Sequence, residues 1–412
     1  MITDALIPRP DYEKLLDRYT DTDFVKVLKG IRRCGKSALL DLHIARLAER
    51  GVPARNLIRR RFDEFDFALG VTAEELQADL AEALSRADER FTAYVFLDEI
   101  QMVPRWERIG RGLQTRPRTD VYITGSNAYL LSSDLATYLS GRYVELDVFP
   151  LSFREYLDFC EATDRSSADV ERRFAEYLRY GGMPSLFAFP DPAQDDIARE
   201  LSGIYNTVVL NDVAKRFSIR DFSLLDRLVA YVFSTSGNLF STRSIANYLK
   251  SSGSKASPDT VEGYLYALQQ ALIVHGVPQE GLQGKDILRP LRKFYPVDTG
   301  LRNLPSGFVV RDTGFQLENV VYVELLRRGF AVSVGSVTGK EVDFIARKGA
   351  EVLYVQVCES VADDAVLDRE LAPLRALEDS FPKLLLIADR LRTGTTSDGI
   401  RIANLIDWLL AA

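Results

Sequence analysis

Histidine is nearly absent from this 412-residue chain, which has two, and cysteine appears only at Cys34, Cys160 and Cys358. So few nitrogen and sulfur ligands argue against a zinc site of the usual kind. Three cysteines, odd in number and far apart, argue against a disulfide framework and point to a reducing compartment. No apolar run approaches the ~20 residues that span a bilayer; the longest, such as Leu384 to Ala388, are strand-sized. The start, Met1 to Pro10, has no basic segment leading into an apolar core, so no signal peptide is expected. An excess of positive charge is also missing. The formal net charge is −7, which excludes blanket binding to polyanions and leaves room only for a local basic face. No internal repeat and no low-complexity segment is visible.

What remains is ordinary for a globular protein: 46% apolar and 27% charged residues. At about 150 residues per domain the length predicts two to three domains, in a cytoplasmic protein without a membrane partner. Over the first 150 residues short apolar runs alternate with helical patterns, which predicts βαβ units and a parallel sheet. The expected strands are Phe24 to Leu28, Leu57 to Phe62, Ala93 to Leu97, Val121 to Thr124 and Tyr143 to Val148. Helical stretches between them include Ser37 to Arg50, Thr72 to Arg86 and Trp106 to Leu113. Phe153 to Tyr180 and Asp195 to Tyr231 are helix-periodic with few strand signals. The expected modules are 1–150, an α/β nucleotide-binding core; 151–235, a helical lid; 236–285; and 286–412, mixed α/β, with Gly281 to Lys285 as a link.

The chemistry is concentrated near the start. Gly30-Ile-Arg-Arg-Cys-Gly35-Lys36-Ser37 fits G-x-x-x-x-G-K-[ST] in full, after an apolar strand and before the helix opening Ala38-Leu-Leu. Glycines there let backbone N–H groups wrap phosphates at a helix N-terminus. The binding set is then Gly30, Arg32, Arg33, Cys34, Gly35, Lys36 and Ser37, with Lys36 on the β/γ-phosphates and Ser37 on Mg²⁺. A second apolar strand, Tyr94-Val-Phe-Leu-Asp98-Glu99, delivers Asp98 to hold the magnesium ion through water and Glu99 to polarise an attacking water. The further strand Val121-Tyr-Ile-Thr124 ends in Gly125-Ser126-Asn127, where Asn127, or failing it Ser126, is placed as a sensor of the γ-phosphate. Arg142, in Leu139-Ser-Gly-Arg142-Tyr143, is placed to reach a neighbouring subunit's γ-phosphate.

These residues resemble the AAA-type, catalytic-glutamate P-loop ATP-binding proteins of bacteria and archaea that carry a C-terminal domain of unknown function. The resemblance rests on the phosphate loop, on Phe96-Leu-Asp-Glu-Ile-Gln101 with Trp106 beyond it, and on Thr124-Gly-Ser-Asn127. It continues through Ser140-Gly-Arg-Tyr143, Phe149-Pro-Leu-Ser-Phe-Arg-Glu-Tyr156 and Tyr180-Gly-Gly-Met-Pro184. It implies ATP and Mg²⁺ as cofactors, a P-loop NTPase core, a possible homo-oligomer, and a Gly182-x-Pro184 turn that closes over the nucleotide and brings Pro184 to the cofactor.

Two modules follow. Ile245, Ala246 and Leu249 line one short helix; Val261, Tyr264, Leu265 and Leu268 line a second after Ser257-Pro258, and the strand-like Leu272 to Val277 comes next. That order matches a winged helix-turn-helix, whose reading positions around Asp259, Thr260, Glu262 and Gly263 are acidic or small. Basic residues nearby are Arg243, Lys250 and Lys255. Further on, Glu318 in a helix, Asp343 in Glu341-Val-Asp343-Phe-Ile, and Val355-Gln356-Val-Cys358 resemble the PD-(D/E)xK restriction-endonuclease-like fold. Gln356 replaces a carboxylate and Cys358 the lysine, so DNA cleavage is not expected. Two readings follow. One is an ATPase coupling nucleotide state to remodelling of DNA or DNA-bound protein, through backbone contacts favoured by Arg59-Arg-Arg61, Arg105 to Arg118 and Arg289 to Lys293. The other is a nucleotide-gated switch that hydrolyses slowly and acts on protein partners.

Overall fold

The computed structural model describes residues 6–63, 70–128, 141–165, 168–251, 256–280, 291–310, 312–337 and 340–411. Leu139, Ser140, Lys255, the link Gly281 to Lys285, the 285/286 boundary and Arg289 lie outside the described residues. Two units are formed, Met1–Val148 with Gln270–Leu272, and Phe149–Gln269 with Ile273–Ala412.

In the first unit each expected apolar run becomes a strand: β1 (Val25–Lys29), β2 (Leu57–Arg61), β3 (Ala93–Asp98), β4 (Thr119–Gly125) and β5 (Tyr143–Asp147). All pair in parallel, in the order β2-β3-β4-β1-β5. Parallel strands are covered on both faces, which is why β3 is buried at every residue. Strand β4 lies between β1 and β3. Among the described residues four helices flank the sheet in sequence: α1 (Pro10–Tyr19), α2 (Lys36–Glu49), α3 (Ala73–Ser85) and α4 (Trp106–Gln114). Thr72 starts α3 with a reciprocal capping box to Glu75, satisfying donors that a helix start leaves open. Leu76, Leu80, Ile109 and Leu113 fill the core with Val95 and Ile123. A buried ion pair joins Lys26 of β1 to Asp120 of β4, on the other face of the sheet with Tyr122.

The second unit begins with the expected helices, α5 (Phe153–Ala162), α6 (Val170–Tyr180), α7 (Gln194–Thr207) and α8 (Phe222–Ser234). Next come α9 (Thr242–Ser251) and α10 (Pro258–Gln270), which bury Ile245, Ala246, Leu249, Val261, Leu265 and Leu268. The run read as Leu272 to Val277 becomes β6 (Val274–Glu280), antiparallel to β7 (Arg292–Pro296) and parallel to β8 (Ala331–Val337). It therefore joins one eight-stranded sheet with β9 (Lys340–Lys348), β10 (Glu351–Cys358), β11 (Lys383–Ile387), β12 (Gly394–Thr395) and β13 (Arg401–Asn404). Helices α11 (Thr299–Asn303), α12 (Thr313–Arg327), α13 (Asp364–Arg375) and α14 (Leu405–Leu410) complete the unit.

Short α11 is tied to the end of α6. Thr299 Oγ1 donates to Tyr177 O at 3.0 Å, and Asn303 Nδ2 donates to Leu178 O and Arg179 O at 3.0 Å each. These are carbonyls that a helix C-terminus leaves without partners. Asp298 accepts from Gly182 N at 2.7 Å and from Leu301 N at 3.0 Å. Burial pushes its pKa up to about 6, against these backbone hydrogen bonds. A Cβ at Gly300 would stand 2.0 Å from Tyr180 O, so only glycine allows this approach.

Candidate nucleotide site

The loop after β1 is closed by contacts that leave no room for larger residues. A Cβ on Gly30 would lie 2.1 Å from Val148 O and 2.7 Å from Cys34 Sγ. Gly35 holds φ 102° immediately before α2, a conformation open to glycine, and Arg33 stands at φ 64°. Cys34 is buried and its thiol is pushed up by burial, which makes it a packing residue under the loop. Arg9, from the turn before α1, donates to Cys34 O at 2.9 Å. Arg32 is half-buried, and its charge helps to hold Glu99 ionised; Arg33 is exposed.

Lys36 is 4% exposed, and its Nζ donates to Gly30 O at 3.0 Å and Ile31 O at 3.3 Å. It also pairs with Glu99 Oε1 at 3.3 Å. Burial drives the two groups toward neutrality, but each outweighs that for the other. The Lys36 pKa is raised and the Glu99 pKa lowered, so both are charged near neutral pH. Glu99 sits at φ 56°, a strained setting for a side chain of its size. Gln101 Nε2 donates to Glu99 Oε2 and to Ser126 Oγ, the latter at 3.4 Å.

Asp98 ends β3 fully buried. Thr124 Oγ1 donates to its Oδ1 and accepts from Glu99 N at 2.9 Å. Arg59, from β2, reaches Asp98 Oδ2 at 3.2 Å and Ser37 O at 3.3 Å, and pairs with Asp41. Thus Ser37, Asp98 and Glu99 meet at the C-terminal ends of the strands, where open parallel sheets bind ligands. The Ser37 hydroxyl and the Asp98 carboxylate are hard oxygen donors, suited to Mg²⁺. Asn127 is 2% exposed at the end of β4, and its Oδ1 has no hydrogen-bond partner among the described residues. A buried amide with an unmet atom next to Ser126 fits a site that takes a polar ligand.

Arg142 lies elsewhere. Its carbonyl accepts from Val25 N at 3.0 Å, which puts it at the start of β1 and β5. Five residues of strand, roughly 15 Å at ~3.3 Å each, separate that end from the phosphate loop. Pro184 belongs to the second unit and opens a 3-10 turn, Pro184–Ala188.

A second constellation forms within the second unit. Glu318 on α12 and Asp343 on β9 do come together, but around Lys293 of β7. Lys293 Nζ stands 3.2 Å from Glu318, 2.6 Å from Glu341 and 3.8 Å from Asp343. Tyr295 OH donates to Glu318 at 2.8 Å. Gln356 Oε1 accepts from Asp343 N at 3.2 Å, while Val357 N donates to Asp343 Oδ2 at 2.9 Å. Burial lowers the Lys293 pKa but the three carboxylates outweigh it, so the ammonium keeps its proton. Burial raises Glu318 and Asp343 together, Asp343 further because Glu318 faces it. Cys358, at the end of β10, turns its Sγ to Ser360 O at 3.2 Å. Among the described residues, no group of three or more His, Cys, Asp or Glu is placed to hold a metal ion. Sequence reasoning missed Lys293, Arg59 and Arg9, because a strand or turn cation with no fixed spacing to its partners leaves no pattern.

Residues 22–157 match the AAA domain family, and residues 171–309 match a domain of unknown function (DUF8612). Over 406 residues the chain is 37% identical to an uncharacterized protein of Haemophilus influenzae, covering 98% of this chain and 99% of that protein. It is 28% identical over 398 residues to the uncharacterized protein MJ1544 of Methanocaldococcus jannaschii, covering 91% and 82%. Among solved structures it is similar to the Walker-type ATPase PABY2304 of Pyrococcus abyssi, at TM-score 0.45 and 17% identity over 72% of this chain and 95% of that one. It is also similar to the Aeropyrum pernix ORC1 protein in complex with DNA, at TM-score 0.33 and 15% identity over 74% and 93%. No helix among the described residues is long and apolar enough to cross a membrane. The chain belongs to the family of that Haemophilus protein, and its residues 22–157 match the AAA domain family.

Proposed function

We propose that the chain is a Mg²⁺-dependent ATPase whose nucleotide state drives the helical region and C-terminal sheet against a macromolecular partner. The observation that carries this reading is the Lys36–Glu99 pair at 3.3 Å. Two charged groups of opposite role in phosphoryl transfer hold one another. ATP must part them, moving Lys36 onto the β/γ-phosphates and freeing Glu99 to accept a proton from water. Gly30 to Gly35 supply the backbone cradle, with Arg32 and Arg33 at its rim and Cys34 packed beneath it. Ser37 and Asp98 would hold Mg²⁺, which would supply positive charge against the phosphates. Asn127 senses the γ-phosphate through its amide, Arg142 serves the site of a neighbouring copy, and the Gly182-x-Pro184 turn closes on the nucleotide.

For the output, a protein partner is the better-supported choice. If α9 and α10 act as a helix-turn-helix, the second helix presents Asp259 and Glu262, and Glu262 is tied to Arg292 at 2.5 Å. Acidic residues repel a phosphate backbone. Tyr248 and Tyr266, 67% and 52% exposed on these helices, suit a protein contact instead. In the C-terminal sheet, which we read as a nuclease-like fold that no longer cuts, the Lys293 ammonium stands among the carboxylates that would hold a metal. The remodelling of DNA or of proteins bound to it then passes through protein contacts rather than cleavage.

Nucleotide binding and turnover of three chains test the reading. Lys36→Ala should lose ATP binding, and Glu99→Gln should bind ATP while turnover falls roughly 10²-fold or more. Equal turnover in the parent and Glu99→Gln would remove Glu99 from the mechanism. Brisk turnover stimulated by DNA would instead favour direct action on nucleic acid.

A further inference from the structure

The two oxygens of Glu99 have different keepers. Lys36 Nζ pairs with Oε1 at 3.3 Å, while Gln101 Nε2 donates to Oε2. Gln101 lies two residues on, in the 3-10 turn Ile100–Met102, and its Nε2 also reaches Ser126 Oγ at 3.4 Å. One amide group thus spans Glu99 and the residue after β4, next to Asn127. The backbone N–H of Glu99 donates to Thr124 Oγ1 at 2.9 Å and fixes the main chain to the same strand end.

The other atom of that amide is idle. Gln101 Oε1 is buried and has no hydrogen-bond partner among the described residues. An unmet buried acceptor costs stability, and a leucine would fill a similar volume without it. The turn therefore carries an amide whose working end is its N–H group.

We infer that Gln101 is a positioning residue for hydrolysis: it holds Glu99 by Oε2, so that Oε1 is the oxygen that takes the proton from water once Lys36 has moved to the phosphates. This rests on the roles proposed above for Lys36 and Glu99. Lys36 belongs to the phosphate loop and leaves with the nucleotide; Gln101 belongs to the strand ends and stays. The carboxylate then keeps one held oxygen and one free oxygen. Water loses a proton to Oε1 as its oxygen bonds to the γ-phosphorus, and the bond from that phosphorus to the bridging oxygen breaks, giving ADP and phosphate. Without the hold, the carboxylate would turn about its side-chain torsions, and a displacement of about 1 Å can cost ~10²-fold in rate. Burial favours protonation of Glu99, and Lys36, Gln101, Arg32 and Ser126 oppose it. Of these, Gln101 keeps its hydrogen bond to the base after Lys36 departs.

Single-turnover hydrolysis of ATP with Mg²⁺ by the full chain, with ATP affinity measured separately, tests the assignment. Gln101→Leu should slow the chemical step roughly tenfold or more and leave affinity within about twofold, because the amide touches the base and not the nucleotide. In a Glu99→Gln chain the same change should cost less than about twofold, since a residue that acts through Glu99 has nothing left to position. Gln101→Leu as fast as the parent overturns the inference. Equal slowing in both backgrounds, or slowing matched by lost affinity, also overturns it, for a merely structural turn would behave so. Should Gln101→Leu fail to fold, Gln101→Glu decides: it keeps the size and polarity but replaces the donor with a second carboxylate, and it should be slowed at least as much. Glu99→Gln at the parent's rate removes Glu99 itself and the reading above with it; a slow Glu99→Gln beside an unaffected Gln101→Leu removes Gln101 alone.

Discussion

Residues buried for one purpose acquire properties for another, and His43 shows this most directly. It lies on α2 at 1% exposure, its Nε2 3.1 Å from Tyr122 OH, with the Phe96 and Tyr122 rings beside it. Burial lowers its pKa to about 4, Asp17 opposing and Arg50, Arg46 and Lys26 adding to the shift. Unfolded, the same imidazole titrates near 6.5. Between those values the unfolded chain binds the extra proton and the folded chain does not. Stability from this group is therefore complete above about pH 6.5 and is lost as pH falls toward 4. His43→Gln should flatten the loss between pH 7 and 4.5 by up to about 3 kcal/mol. Urea midpoints of the two chains at both pH values would show it, and parallel losses would exclude His43. At this scale the phosphate loop was legible because its residues follow one another and its chemistry depends on backbone. Lys293 was not. It reads as the end of a basic stretch, and only the pairing of β6 and β7 carries it to Glu318 and Asp343.

Elements were more legible than their partners. The five strands of the first unit appear within two residues of the positions that apolar runs indicate, since a buried parallel strand has few other ways to look. Leu272 to Val277 was equally clear as a strand, but its neighbours were not: periodicity reports which faces are buried, not which strand lies alongside. Its parallel partner β8 begins fifty residues downstream of the strand's end. The meeting of α6 and α11 was likewise beyond reach, because Thr299 and Asn303 cap carbonyls more than a hundred residues away. It makes a sharp prediction. Gly300→Ala puts a methyl group 2.0 Å from Tyr180 O, against rigid backbone. Either α11 lifts or the turn after α6 shifts, and roughly 3 kcal/mol or more of stability should go, in the range of severe overpacking. Gly314→Ala, where nothing lies within 4 Å, is the matched control in thermal unfolding.

For the whole molecule, the placing of Arg142 matters most. It stands at the opposite end of the parallel sheet from its own phosphate loop, so its proposed role requires another copy. Arg142→Ala alone should reduce turnover by roughly 10³-fold, as expected when an arginine finger is removed. Lys36→Ala alone should also be inactive. Mixed, the two should recover activity, because a Lys36→Ala copy still presents Arg142 to the intact site of its neighbour. Turnover of the mixture no greater than the sum of its parts would return Arg142 to a structural role.

The cross-links from α11 to the end of α6 also bear on how the chain is made. Gly182 and Asp298 are 116 residues apart, yet one hydrogen bond joins them. Contacts of such separation form late, since the loop between them must close first. On the ribosome, α6 emerges long before the residues that satisfy its last carbonyls. The helical region must wait, exposed, until Asp298 to Asn303 have left the exit tunnel. A nascent chain halted before that point offers unpaired backbone and bare apolar helix faces, the form that chaperones recognise and proteases remove. The order of synthesis thus makes the second unit vulnerable over most of its length, and a stretch of six residues ends that exposure.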